Sequence, residues 1–186
     1  MWQLSLLPFA LQALGHHSTQ LTIDAIKVNQ TYCLLSISSG VTSLTMQSHK
    51  RRKSILGRIS YIVWGLYYLI SQKEHHFSLL LDGALYHIKA HEVFINNIHR
   101  SALTGILLRQ SRPNDGIVEC YILRPDDLID SFFTQPMVEV HAITKSFSIR
   151  TSHSLQFQLD GEPLQTQCVD GEIIPNALTL QIPRYQ

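Results

Sequence analysis

Cysteine is scarce in this chain. Cys33, Cys120 and Cys168 are the only three among 186 residues. An odd, sparse set without paired spacing excludes a disulfide scaffold, and it makes a reducing cytoplasm the expected location. Net charge is also missing. Fifteen Lys and Arg against fourteen Asp and Glu leave +1, so no global field draws the chain to nucleic acid. Charged residues make up only 16%, too few for a coiled coil or long disordered tails. A membrane-crossing helix needs about 20 apolar residues, and the charge-free stretch at 59–70 stops short of that. Any membrane contact is therefore expected to be peripheral. Residues 1–14 are apolar but carry neither early Lys or Arg nor a small-x-small cleavage pattern. They read as an amphipathic helix ending at Gly15 rather than a leader.

What is present suffices for one domain over residues 1–186 with a real core, because 45% of the residues are apolar. Short strand-like runs dominate. They fall at 20–28, 31–38, 77–81, 84–90, 93–97, 104–110, 117–123, 138–144, 146–151, 154–159 and 178–182. Asp82-Gly83 between two such runs predicts a two-residue hairpin, since that turn needs two positive-φ positions. Further turns are expected at Asn114-Asp115-Gly116, Asp160-Gly161 and Asp170-Gly171. A short helix is expected after Pro125, and one long helix at about 54–72 stands nearly alone among the strands. The predicted class is α+β and β-rich: a β-sandwich-like domain with one long packed helix.

Candidate chemistry starts with the ten histidines. His87 and His91 are four apart, a metal-gripping spacing on a helix, yet residues 84–89 alternate as a strand. There, four residues span about 13 Å, too far for one ion. Residues 49–53, His-Lys-Arg-Arg-Lys, are the one charge cluster. They are either a solvated loop before the long helix or a patch attracted to anionic headgroups or phosphates. Asp-Gly-Glu occurs twice, at 160–162 and 170–172. Each is either a plain turn or a pair of carboxylates, one taking a proton while the other holds hydrated Mg²⁺.

Several segments occur in a suggestive order: Ala13-Leu14-Gly15, Ile23-Asp24, Lys27-Val28-Asn29, Ser39-Gly40 and residues 56–61 (Leu-Gly-Arg-Ile-Ser-Tyr). After them come Asn114-Asp115-Gly116-Ile117-Val118, Leu159-Asp160-Gly161-Glu162, Pro175-Asn176-Ala177-Leu178 and Ile182-Pro183. With these segments the chain resembles the C-terminal domain of the diacylglycerol kinase-like lipid kinases, the group of bacterial diacylglycerol kinases and sphingosine kinases, over about residues 14–183. The resemblance implies a β-rich domain that closes over a lipid substrate. It also implies ATP and Mg²⁺ as cofactors, with a separate ATP-binding domain whose Gly-Gly-Asp-Gly-Thr segment this sequence does not contain. Pro8-Phe9 stands where the family usually has Asn-Asp.

By that resemblance Asp160 is the candidate catalytic base, Glu162 helps hold Mg²⁺, and Asp115 matches a position used for an ion or an interdomain polar network. An ordinary turn aspartate is the alternative for Asp115. Asp170 and Glu172 match no family motif. The long helix, with Tyr61, Trp64, Tyr67 and Tyr68, packs on the sheet or lines an acyl-chain cavity. The expected partners are a lipid substrate, an ATP-binding domain or subunit and, because sheet edges would be left open, a second copy of the chain. The chain alone is expected to be inactive. The alternative is a non-catalytic lipid-binding or interaction module that kept the fold.

Overall fold

A two-residue period governs burial wherever one face of a strand meets the core. In β4 (His75–Leu81), Phe77, Leu79 and Leu81 are buried while His76 and Leu80 are exposed. The structure, a computed structural model, describes residues 18–39, 74–98, 112–124 and 139–183. These residues form β1 (Ser18–Val28), β2 (Thr31–Cys33), β3 (Ser36–Ser39), β4, β5 (Ala84–Ala90) and β6 (Glu92–Asn96). The later strands are β7 (Val118–Leu123), β8 (Glu139–Ile143), β9 (Ser146–Leu159) and β10 (Glu162–Pro183). Every pairing among them is antiparallel, in the order β2-β1-β10-β9-β3-β6-β7-β8, with β4 joined to β9 and β5 to β4. The expected β-rich, sandwich-like architecture is found.

The two long strands close the layers. The first part of β9 pairs with β4, and its last three residues pair with β3. β10 pairs first with β9 and then with β1. Strands that change partners along their length let one sheet turn a corner and pack on itself. Between the layers one cluster forms the core, including Ile26, Ile37, Phe77, Leu79, Ile95, Ile122, Ile149 and Phe157. The β4–β5 hairpin lies over β8, where the Tyr86 and His141 rings stand 4.8 Å apart.

Among the described residues there is no helix. The helix expected at 54–72, the one ending at Gly15, the one after Pro125, the strand at 104–110 and the basic cluster at 49–53 lie outside the described residues. Two strand expectations and one turn expectation need correcting. The run at 31–38 is two strands, split at Leu34-Leu35, because those residues form a turn held by a distant carboxylate (below). The runs at 146–151 and 154–159 are the single strand β9. Asp170-Gly171 is no turn but lies inside β10, paired with Ser148 and Phe147.

The reason for Gly171 is a close approach and not a bend. A Cβ there would stand 2.2 Å from Cζ of Phe147, whose ring lies over the strand. By contrast, Gly83 and Gly161 follow Asp82 and Asp160 in true two-residue turns, with φ of 91° and 95° after aspartates at 48°. We therefore expect Gly171→Ala to lower unfolding stability by about 1–3 kcal/mol in urea titration, the usual cost of overpacking. Adding Phe147→Leu should recover part of the loss.

Candidate functional site

Tight turns leave backbone N–H groups with no ladder partner, and a nearby carboxylate is a strong acceptor for them. Asp160 opens the β9–β10 turn and reaches the turn between β2 and β3. The N–H groups of Leu35 and Ser36 donate to its Oδ1 at 2.8 and 2.9 Å, and that of Leu34 donates to Oδ2 at 2.6 Å. The Cys33 thiol also donates to Oδ1, at 2.8 Å. Burial, then the hydrogen bond to Asp160 and its negative charge, push that thiol far above its ordinary pKa, so it remains a donor. A carboxylate offers about four lone-pair positions. Three of the four donors crowd Oδ1 and one reaches Oδ2, so among the described residues the open position is on Oδ2.

Asp24 does the same work inside the protein. It is fully buried at a register shift of β1, between Ile23 and Ala25. The Gly116 N–H donates to its Oδ2 at 2.7 Å and the Asn176 N–H to its Oδ1 at 2.8 Å. Its own N–H donates to the Pro113 carbonyl at 2.6 Å. Asn97, at the end of β6 and fully buried, joins the two groups. Its Nδ2 donates to the carbonyls of Asp24 and Leu34, each at 2.8 Å. A continuous hydrogen-bonded path thus runs from Asn176 and Gly116 through Asp24, Asn97 and Leu34 to Asp160.

The residues expected from sequence sit as follows. Asp160 is exposed on this junction. Glu162 is exposed just beyond it, opposite Leu159 at the start of β10. Asp115 is exposed on the turn whose Gly116 is held by Asp24, and its Oδ1 accepts from the Ile117 N–H at 3.1 Å. Asp170 and Glu172 line an open groove of about 450 Å³ with Lys27, Asn29, Leu80 and Phe147. Glu172 lies ten residues beyond Glu162 within β10, roughly 33 Å along the strand, so the two Asp-Gly-Glu copies share no site. His87 lies in β5, and its Nδ1 is 3.0 Å from the Ser78 hydroxyl.

Among the described residues no group of three or more His, Cys, Asp or Glu is arranged to hold a metal ion. Mg²⁺ asks for less. It commonly takes one or two carboxylates and completes its shell with water and phosphate. The exposed carboxylates of Asp115 and Glu162 fit that demand, each as one ligand.

Asp24 stood in a resemblance segment but was given no role from sequence, and Asn97 was missed. A signal for Asp24 existed: it is the sole acid in an otherwise apolar inward-facing run, Ile23 to Ile26. Asn97 carried none, because its partners are backbone carbonyls far away in sequence.

Residues 35–182 match the family model described as the YegS C-terminal NAD kinase beta sandwich-like domain. The chain belongs to this family. Four of the segments that carried the resemblance, those around Asp24, Asp115, Asp160 and Asn176, meet at the junction, whereas Lys27 and Asn29 line the groove of Asp170. Among curated relatives, "Probable lipid kinase YegS-like" of Citrobacter koseri is 28% identical over 169 residues, covering 87% of this chain and 56% of that protein. "Probable lipid kinase YegS" of Escherichia coli O1:K1 / APEC is 26% identical, over 88% of this chain and 57% of the relative. The chain thus spans a little over half the length of these relatives. Among solved structures, a diacylglycerol kinase from Bacillus anthracis str. Sterne superposes with a TM-score of 0.64 at 18% identity, over 89% of this chain and 53% of that one. A second chain from that strain reaches 0.69 at 17% identity, over 89% and 57%. At such identities the likeness is one of fold.

A third carboxylate gives a comparison within the molecule. Asp82, in the other Asp-Gly hairpin, accepts from the N–H groups of Thr144, Lys145 and Ser146 and from the Thr144 hydroxyl. No YegS-family segment quoted above includes it. Burial pushes its carboxyl up, but the backbone donors of Thr144, Ser146 and Lys145 together outweigh this and hold it below the usual carboxylate range. A depressed folded-state pKa adds stability above the unfolded value, and that stability is lost as pH falls through the folded one. The stability difference between wild type and Asp82→Asn should therefore be full at pH 7 and shrink below about pH 4, as read from urea titrations across pH.

The cysteines allow a simpler check. Cys33 and Cys120 are buried, and burial followed by the nearby Glu139 charge pushes the Cys120 thiol up to about 12. Cys168 is half-buried. A thiol reagent at pH 8 should label Cys168 alone in the native chain and all three after denaturation, as counted by mass spectrometry.

Proposed function

We propose that this chain is the substrate-side domain of an ATP-dependent lipid kinase that phosphorylates a lipid hydroxyl, diacylglycerol or a related lipid. Residues 1–186 would act as one domain, incomplete without an ATP-binding domain. The observation that carries the reading is the convergence of four resemblance-bearing segments, those of Asp24, Asp115, Asp160 and Asn176, on one polar junction in a chain of the YegS C-terminal family.

In this reading the lipid hydroxyl approaches the open position of Asp160 Oδ2. Its oxygen attacks the terminal phosphorus of ATP in line, its proton passes to Asp160, and ADP departs. Glu162 and Asp115 would each give an oxygen to hydrated Mg²⁺, which neutralises phosphate charge when bound. The phosphate-cradling glycine segment belongs to the partner domain, so the chain alone turns nothing over. Action takes place at a cytoplasmic membrane surface, with peripheral contact and no crossing helix among the described residues. A homodimer through open sheet edges fits the same picture.

One observation favours a second reading. Asp160 is bonded as Asp82 is, with three turn N–H groups on each. Asp160 would then be a turn cap in a non-catalytic lipid-binding or interaction module. Asp82 supplies the control. Join the chain to the N-terminal part of a YegS-like relative and assay ATP with diacylglycerol. The kinase reading expects Asp160→Asn to lower kcat at least 10²-fold, while Asp82→Asn, with a similar melting shift, leaves kcat within about twofold. Equal losses for the two variants, tracking stability, would establish the cap reading.

A further inference from the structure

Asn97 grips the two peptide planes that hold Asp160. In a trans peptide the C=O of one residue and the N–H of the next lie in one plane and point in opposite directions. Asn97 Nδ2 donates to the Leu34 carbonyl, and the N–H at the other side of that plane, on Leu35, donates to Asp160 Oδ1. The backbone N–H of Asn97 donates to the Leu35 carbonyl at 2.9 Å, and the far side of that plane, the Ser36 N–H, also donates to Oδ1. Two of the three N–H groups on Asp160 are thus aimed by one residue 63 positions away from it.

The same Nδ2 holds the Asp24 carbonyl, and the Asp24 side chain holds Gly116 and Asn176. Both Nδ2 partners are carbonyl oxygens, which fixes the orientation of the amide. Its Oδ1 is then left buried with no hydrogen-bond partner among the described residues. A buried acceptor without a donor is costly, and Asn97 carries that cost while its Nδ2 serves two carbonyls; Leu or Val would leave the Asp24 and Leu34 carbonyls without this donor.

We infer that Asn97 is a positioning residue: by clamping the Leu34–Leu35 peptide to the Asp24 carbonyl, it sets the Asp160 carboxylate against the Asp115 turn and the irregular stretch of β10 at Asn176. Its use in phosphoryl transfer rests on the proposed function, but the clamp itself does not. Chained hydrogen bonds polarise one another, so loss of the Nδ2 donor weakens the Leu35 N–H bond to Asp160 although neither partner is touched.

Amide hydrogen exchange on the chain as it stands tests this. Asn97→Ala removes the side-chain grip and keeps the backbone one. The Leu35 amide should exchange about tenfold faster, the worth of one hydrogen bond. Gly116 and Asn176 should rise with it, Ser36 should rise less than Leu35, and the Asp82-held amides of Thr144, Lys145 and Ser146 should stay unchanged. Asn97→Gln, which retains a donor on a longer stem, should restore part of the Leu35 protection.

An equal rise at Thr144–Ser146 would show global loosening and overturn the proposal, as would a rise on one side of the clamp only. Should Asn97→Ala not fold, Asp160→Asn reads the same path from the other end. Faster exchange at Gly116 and Asn176 supports the clamp, and unchanged exchange there removes it. A kinase assay that finds no activity would sink the functional reading and leave these exchange patterns standing.

Discussion

Turn amides without a ladder partner are the constraint around which this domain is arranged. A ten-stranded antiparallel fold makes many sharp reversals, and each exposes N–H groups that must be satisfied. Here three aspartates, Asp24, Asp82 and Asp160, supply acceptors to turns distant in sequence. Each therefore does two things. It satisfies local backbone groups, and it staples one hairpin to another. The core of Ile, Leu, Phe and Val side chains supplies the bulk of the driving force, while the carboxylate staples decide how the ends of the strands sit relative to one another.

The two ends of the fold use this device differently. At one end Asp82 ties the β4–β5 hairpin to the β8–β9 turn, and the Tyr86–His141 contact closes the same seam. At the other end the staples are linked. Asp160 holds the β2–β3 turn, Asp24 holds the Gly116 turn and β10 at Asn176, and buried Asn97 connects them. A linked polar network at a strand-end surface is a stiffer platform than an isolated cap. It places the exposed carboxylates of Asp115, Asp160 and Glu162 on connected supports. The phosphoryl transfer proposed above would ask of these groups position and charge, with little covalent chemistry.

Much of the fold was legible in the chain. The Asp82-Gly83 and Asp160-Gly161 hairpins follow from the positive φ that such turns require, and the flanking strands follow from alternation. Two readings failed for instructive reasons. Leu34-Leu35 is apolar and reads as strand interior, yet the chain turns there because Asp160 accepts its amides. Asp170-Gly171 reads as a turn, yet the glycine is there to pass beneath the Phe147 ring. In both cases a residue more than twenty positions away decided the local conformation. Local propensity has no access to such a partner.

Residue order alone determined the β-rich class, the hairpins whose turns need left-handed backbone, and the family resemblance carried by short segments spread over about residues 14–183. Those are properties of neighbouring residues or of their order. The tertiary structure decided that the segments meet, that a buried Asp24 and Asn97 hold them together, and that the second Asp-Gly-Glu lies on a different surface. Hydrogen bonds between side chains and the backbone of remote turns have no period and no spacing rule. Only the folded chain brings donor and acceptor within 3 Å.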